Sequence, residues 1–220
     1  MYSREEAKEH RDEVLQEAIK NLRFGTLVVA DDAGAPQATH MPFVLKSTAD
    51  KITLECHVAR GNPIWKLLER PRPALVMFQG PQAYVRPGWY PTKQEHGKVV
   101  PTWSYVSVHV RGEACVMADQ ATLLQHVREL SDHLEAGQPM PWSVDDTPGD
   151  YVVKLARGIV GISIPVSVME GVWKVNQHRS EEDRLGMIDG LDARGDDDAA
   201  KLAAIMRQIE ARKASASSET

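Results

Sequence analysis

The sequence has 220 residues, 42% of them hydrophobic, with 26 basic and 31 acidic side chains and a net charge of -5. That length suits one domain with appendages and leaves no room for a second large one; the acidic balance gives no global positive field for nucleic-acid phosphates, so direct DNA binding is not expected. No run reaches the roughly 20 apolar residues of a membrane span, so no membrane partner is expected, and the charged start lacks the apolar stretch of a secretory signal, which makes the cytoplasm the expected location.

Taken in chain order, Ser3 reads as the cap of an opening helix with Glu5 and Glu6 in its first turn, and Val14, Leu15, Ala18, Ile19 and Leu22 fall on one helical face. Residues 24–30 form a β-branched run ended by turn formers at 31–36, and residues 37–46 return as the second strand of a hairpin. Residues 52–59 read as a third strand. Asn62 and Pro63 then supply a cap and a first helical position for a short helix to about Glu69. After the Pro71 and Pro73 break, residues 74–78 are almost wholly apolar and belong in a core.

Residues 103–117 are the longest strand candidate: Val106, Val108 and Val110 alternate with Ser107, His109 and Arg111, and Gly112 marks a candidate bulge. Asp119 caps a helix running to about Glu135, an irregular loop follows over 139–148, and a helix near 150–157 leads into a strand at 159–164. Leu202, Ile205, Met206 and Ile209 make one stripe of a terminal helix, and residues 214–220 have the composition of a disordered tail. The domain is therefore expected over 1–213. Short strands interleaved with helices argue for an α+β, mainly β fold, a barrel decorated with helices rather than a doubly wound parallel sheet. Cys56 and Cys115, far apart on predicted strands, read as buried thiols and not as a disulfide.

Four segments carry candidate chemistry. In Leu-Glu-Cys-His57-Val-Ala-Arg60-Gly-Asn62-Pro-Ile-Trp65-Lys66 a strand delivers Arg60 to a helix start, where a guanidinium and free backbone N–H groups suit a mononucleotide phosphate; an exposed arginine beside an ordinary helix start is the plain alternative. Residues 78–91 hold Gln79, Tyr84, Trp89 and Tyr90 among Pro81, Pro87 and Pro91, a stiffened aromatic loop that suits a wall for a planar ring or, equally, packs its own core. Thr102 and Trp103 add a hydroxyl and an aromatic ring at the mouth of the long strand. Trp173, Gln177 and Arg179 add a ring, an amide and a cation near the barrel's end.

His57 lies inside an apolar strand and reads either as a satisfied half-buried histidine or as a contact to a bound group, an iron included. His126 and His133, two turns apart on one helix, read as solvent-exposed. No His-Glu-x-x-His, close cysteine pair, Gly-x-Ser-x-Gly, P-loop or Gly-x-Gly-x-x-Gly pattern is present. Glu129, Asp132, Glu135 and Glu210 on the two long helices disfavour a DNA-facing surface.

Taken together, residues 54–66, 78–84, Trp89-Tyr90, Val100-Pro-Thr-Trp-Ser-Tyr105 and residues 173–184 closely resemble the PaiB family. The resemblance implies an FMN-binding, flavin-reductase-like split β-barrel, usually a homodimer with its cofactor at the subunit interface, acting as a negative transcriptional regulator or small redox protein. It also implies an alternative, because the same family includes haem-dependent piperazate synthases, which close N5-hydroxyornithine, a small-molecule substrate, by forming an N–N bond. On that reading the cofactor is haem b and His57 is the metal ligand. Three positions depart from the family pattern: Ser104 and His178 where asparagine is usual, and Val172 where lysine is common. The departures at Ser104 and His178 keep the haem reading open.

Overall fold

The computed structural model describes residues 1–218 along the backbone and side chains through 215. The chain divides into two compact units: a barrel unit of residues Arg11–Phe78 and His109–Met169, and a terminal unit of Met1–His10, Gln79–Val108 and Glu170–Thr220.

The chain opens with a single turn of 3-10 helix, Glu5–Ala7, and a two-residue strand β1, Lys8–Glu9; helix α1 begins only at Asp12 and runs to Leu22. Ser3 therefore does not cap a helix. Between residues 4 and 10 only Ala7 is apolar, so there is no stripe to bury, and the backbone instead pairs with the last strand through Lys8↔Val172 and Glu9↔Gly171. Leu15 and Ile19 are the buried side of α1, which stops where Arg23 takes a positive φ of 53° and its N–H caps Ile19 O at 2.9 Å.

In the barrel unit, β2 (Phe24–Ala30) and β3 (Pro36–Pro42) pair as the expected antiparallel hairpin, from Phe24↔Pro42 to Ala30↔Pro36. The return strand does not continue to residue 46. Phe43 donates its N–H to Arg23 O (2.8 Å) and sets its ring edge-on against Phe78, 5.4 Å away, so β4 (Val44–Ser47) turns off to pair with β5 (Ile52–Ala59). Three long strands follow: β6 (Arg72–Val85), β7 (Thr102–Val116) and β8 (Ile159–Lys174). The order is β3-β2-β6-β7-β8-β5-β4, an antiparallel sheet curled as a split barrel. Helix α2 (Ile64–Leu67) follows β5, α3 (Thr92–His96) lies between β6 and β7, and α4 (Gln120–Glu135) and α5 (Gly149–Ala156) lie between β7 and β8. The Asp119 cap forms as expected, its carboxylate accepting from Thr122 N at 2.8 Å.

Both β6 and β8 outrun the apolar stretches that announce them, and β8 rather than β7 is the longest strand. In β6 the buried side changes from Ala74, Val76 and Phe78 to Ala83 and Val85, a switch of parity across residues 79–82, which include Gly80 and Pro81. β7 keeps its parity through Gly112, so that glycine is not a bulge. It is a point of close approach, because a Cβ there would lie 2.1 Å from the Pro165 carbonyl oxygen. Both cysteines are free; Cys56 is fully buried, and burial pushes its thiol pKa well up.

The terminal unit packs α6 (Glu181–Arg194) and α7 (Asp197–Ser218) over a core that includes Val85, Tyr90, Val175, Met187, Leu191 and Leu202. Helix α6 has no strong apolar stripe in sequence. Two glycines do its packing: a Cβ at Gly190 would lie 2.3 Å from the Trp89 ring and one at Gly186 2.3 Å from the Trp89 carbonyl. Helix α7 continues through Ser218, into the stretch whose composition suggests a disordered tail; residues 219–220 of that stretch lie outside the described residues.

Replacing Gly112 with alanine is expected to lower the urea unfolding free energy by about 1–3 kcal/mol, since backbone on the facing strand must move. Gly61→Ala, where nothing lies within 4 Å of the added carbon, is expected to change it by less than about 0.5 kcal/mol. Equal effects would contradict the close-approach account.

Candidate functional site

Along the first half of β7 the side chains alternate. Ser104, Val106 and Val108 are buried, which turns Trp103 and Tyr105 to the opposite face. Trp103 is 50% exposed, and Tyr84 on the neighbouring β6 is 45% exposed. Their ring centroids are 6.3 Å apart at a 55° tilt, and Trp103 Nε1 donates to Gln82 Oε1 at 2.7 Å. Lys174 at the end of β8 sets its ammonium 5.7 Å from the Tyr105 ring centre. The terminal unit thus presents an open aromatic platform with a cation at its edge, an arrangement that a protein surface rarely keeps bare without a ligand or partner to cover it.

The platform runs into a pocket of about 480 Å³, within the range of small-molecule sites. Thr102 and Tyr105 line it together with Lys174 and Asn176 to Arg179, and Tyr2, Arg4 and Glu6 complete the wall. The turn after β8 is built on Asn176, whose φ of 58° is one of the left-handed conformations that asparagine tolerates best among side-chain-bearing residues. Its Nδ2 donates to the Tyr90 hydroxyl at 3.0 Å. Gln177 folds back locally: Oε1 accepts from Val175 N at 3.1 Å, and Nε2 donates to Trp173 O.

Arg179 is held from below. Its guanidinium lies 4.4 Å over the Tyr90 ring and 3.6 Å from Asp183, a buried carboxylate that also accepts from Thr92 N (3.2 Å) and Thr92 Oγ1 (2.9 Å). His178 feels this charge. Burial lowers its pKa, and Arg4 and Arg179 lower it further, so the pocket wall carries a positive potential that an anion would relieve.

The segment around Arg60 lies in the barrel unit and is largely engaged with itself. Arg60 Nε donates to Arg157 O (2.8 Å) and Nη2 to Ile159 O (3.3 Å), with the guanidinium against the Trp65 ring and Trp65 Nε1 donating back to Arg60 O (2.9 Å). Asn62 performs the expected cap, accepting from Ile64 N at 3.1 Å, and its Nδ2 donates to Thr39 Oγ1 at 3.0 Å. Helix α2 is only four residues long, and Lys66 stands exposed. These groups close a turn; they do not form a ready phosphate cradle.

His57, also in the barrel unit, has a partner that sequence reasoning misplaced. His126 is 0% exposed rather than on the solvent side of α4, because β4 and β5 lie under that face of the helix. Its Nε2 meets His57 Nδ1 at 3.1 Å, and its Nδ1 lies 3.6 Å from Glu55. Lys46 bridges Glu55 (2.9 Å) and Glu129 of α4 (2.7 Å). Burial, then the neighbouring His126, brings the His57 pKa down to about 4. Burial pushes Glu55 the other way, but His126 and Lys46 outweigh it and hold its carboxyl below the usual range.

Of the residues singled out in sequence, the terminal unit gathers Tyr84 and Trp103 on the platform and Thr102, Gln177 and Arg179 in the pocket. Trp89, Tyr90 and Trp173 pack against that unit's core, and Gln79 is exposed at the parity switch of β6. Arg4, Tyr105, Lys174 and His178 line the pocket as well. Lys174 and Tyr105 were legible as neighbours of Trp173 and Trp103. Arg4 was not, since its charged surroundings read as a helix.

A family model described as "Putative FMN-binding domain" matches residues 1–168. The chain is 32% identical over 188 residues to Protease synthase and sporulation protein PAI 2 of Bacillus subtilis, covering 86% of this chain and 87% of that protein. It is also 32% identical over 240 residues to an uncharacterized protein of Aspergillus fumigatus, covering 89% and 92%. In fold it is similar to the FAD and haem binding protein from Mycobacterium smegmatis (TM-score 0.56, 15% identity, 86% and 80% covered). The flavocytochrome Anf3 from Azotobacter vinelandii is similar to the same degree (TM-score 0.56, 14% identity, 84% and 78% covered). Among the described residues no helix is long and apolar enough to cross a membrane. A split barrel of this topology, with the family's segments in order along it and these relatives spanning most of its length, belongs to the PaiB family of FMN-binding domains.

Proposed function

We propose that this chain is a flavoprotein that holds FMN with its ring on the Tyr84–Trp103–Tyr105 platform and its phosphate in the adjoining cationic pocket. The observation that carries the reading is the continuity of an open aromatic face with a 480 Å³ pocket whose walls include Lys174, His178, Arg179 and Arg4. The phosphate is assigned there rather than to residues 60–66 because Arg60 and Asn62 already have partners and α2 is a single turn. Bound FMN supplies one- and two-electron redox chemistry. The chain's own part is to stack the ring, to pair the phosphate with fixed cations, and to exclude water on one face. Tyr90 and Asp183 orient Arg179 for that task, so little ordering cost remains for binding.

The same reading makes the protein a cytoplasmic homodimer, because a face with two half-exposed aromatic rings calls for a second copy as well as a ligand to cover it. It acts as a small redox protein, or as a regulator of the PaiB kind that responds to its flavin; a net charge of -5 supports no direct grip on DNA.

Calorimetric titration with FMN is expected to show Lys174→Ala losing about 1.5–3 kcal/mol of affinity, the worth of a charge-assisted hydrogen bond. Trp103→Ala should lose about 1 kcal/mol through stacking. Wild-type affinity in both variants would overturn the placement. Light scattering is expected to report twice the 24.4 kDa chain mass, and a single-chain mass would remove the dimer.

One observation favours haem as a second reading. A metal-bound histidine ordinarily has its other ring nitrogen hydrogen-bonded, and His126 already holds His57 Nδ1, leaving Nε2 for iron. His57 would hold the iron of haem b with His126 orienting its ring, and N–N bond formation on N5-hydroxyornithine would be the activity that the family resemblance attaches to it. If so, haem reconstitution gives a Soret band that His57→Ala abolishes and Lys174→Ala does not.

The His57 pKa has its own consequence. A histidine near 4 in the fold and 6.5 unfolded favours the native state fully above 6.5, and that contribution is lost as pH falls from 6.5 towards 4. Unfolding free energy in His57→Gln should therefore decline less steeply over that interval than in the wild type; parallel curves would mean that His57 is no more buried than in the unfolded chain.

A further inference from the structure

A second cavity, of about 460 Å³, adjoins the first, and the two share Arg4, His178 and Arg179. Beyond that shared wall it is lined by His96, Lys98 and Asp183. Its permanent charges are three cations, Arg4, Lys98 and Arg179, against the one carboxylate of Asp183. That carboxylate is committed, accepting from Thr92 N and from the Thr92 hydroxyl, which lies 2.9 Å from both of its oxygens, and lying 3.6 Å from Arg179. Arg4 also lies 3.7 Å from Glu6 of the adjoining pocket, so the cations have two carboxylate partners, and Lys98 carries the excess positive charge of this concavity in a chain with five more acidic than basic side chains.

The neutral donors agree with the charges. His96 Nδ1 accepts from the Lys98 N–H at 3.0 Å, which leaves the ring's own proton on Nε2 as a donor. Ser180 adds a hydroxyl, although it also caps α6 by accepting from Asp183 N. His178, on the wall between the cavities, has its pKa lowered by burial and by Arg4 and Arg179.

We infer that this cavity is a second oxyanion site, which takes the phosphate or carboxylate group of a small molecule that meets the bound flavin. The identity of that molecule as the flavin's redox partner rests on the placement of FMN in the first pocket; the oxyanion site itself rests on Arg4, His96, Lys98 and Arg179. A single concave trough with cations at both ends and Arg179 between them suits two anionic groups side by side. It does not suit an apolar or cationic partner, whose desolvation there would be uncompensated.

The test uses the full-length protein loaded with FMN and followed by NMR of the histidine side chains, at ionic strength held constant with chloride. Inorganic phosphate is titrated in one arm and succinate in the other. Saturable shifts of His96 and His178 by one or both anions, with the His178 pKa moving upward at saturation, are expected, and the arm with the lower Kd names the group. Lys98→Ala should weaken that binding about tenfold while leaving FMN affinity as in the wild type, because Lys98 does not line the first pocket. Three outcomes overturn the proposal: no saturable shift with either anion, unchanged anion binding in Lys98→Ala, or competition between the anion and FMN, which would make this the flavin phosphate's own seat. Failure of the flavin placement is read separately, from Lys174→Ala and FMN.

Discussion

Period-two alternation along β7 is the constraint on which the rest of the terminal unit depends. From Ser104 to Ala114 every second residue is buried, and this single pattern decides which way the intervening side chains face. Trp103 and Tyr105 stand on the outer face because Ser104 and Val106 are needed inside. Were the register to slip by one residue, the hydrophobic valines would meet solvent and the aromatic platform would be forced into a core already filled by Val85 and Met187. The same strand therefore builds the core and sets out the site, and the tilt and spacing of Tyr84 against Trp103 follow from pairing between β6 and β7.

Charge organises the other half. Arg179 is a flexible side chain fixed by three rigid ones: the Tyr90 ring beneath it, the Asp183 carboxylate beside it, and Thr92, whose N–H and hydroxyl hold that carboxylate in place. Asn176 completes the frame through the Tyr90 hydroxyl. Tyr90 thus matters to the pocket without lining it, a role that a list of aromatic residues cannot reveal. In the barrel unit the arrangement is reversed, since Arg60 is turned onto the backbone carbonyls of Arg157 and Ile159 and has less to offer a ligand than its place before a helix suggests.

Much of the fold was legible from residues alone. The β2–β3 hairpin, the β5 strand, the Asp119 cap and the burial of Leu202 and Met206 all follow from local pattern, because each is decided by neighbours within a few positions. What was not legible depends on distant partners. Helix α6 has too few apolar residues to declare itself and is specified by Trp89 filling the space over its glycines. His126 looks like a surface histidine on a helix of mixed charge, and only the approach of β5 buries it. The opening residues carry the charges of a helix start but lack any apolar face, so tertiary pairing with β8 decides their conformation. The site was half-read for the same reason: its aromatic members and their sequence neighbours announce themselves, whereas Arg4 acquires meaning only once the opening residues are brought beside β7.

The glycine groove of α6 also gives this protein an optical property. Trp89 is seated where a helix offers no side chains at two successive turns, so its indole reports whether α6 has docked. Trp103 is half-exposed on the platform and reports what lies over it. The chain's other indoles, Trp65, Trp142 and Trp173, also emit, so variants that keep a single tryptophan, either Trp89 or Trp103, would separate the two signals, one for assembly of the terminal unit and one for occupancy of its open face, without a dye.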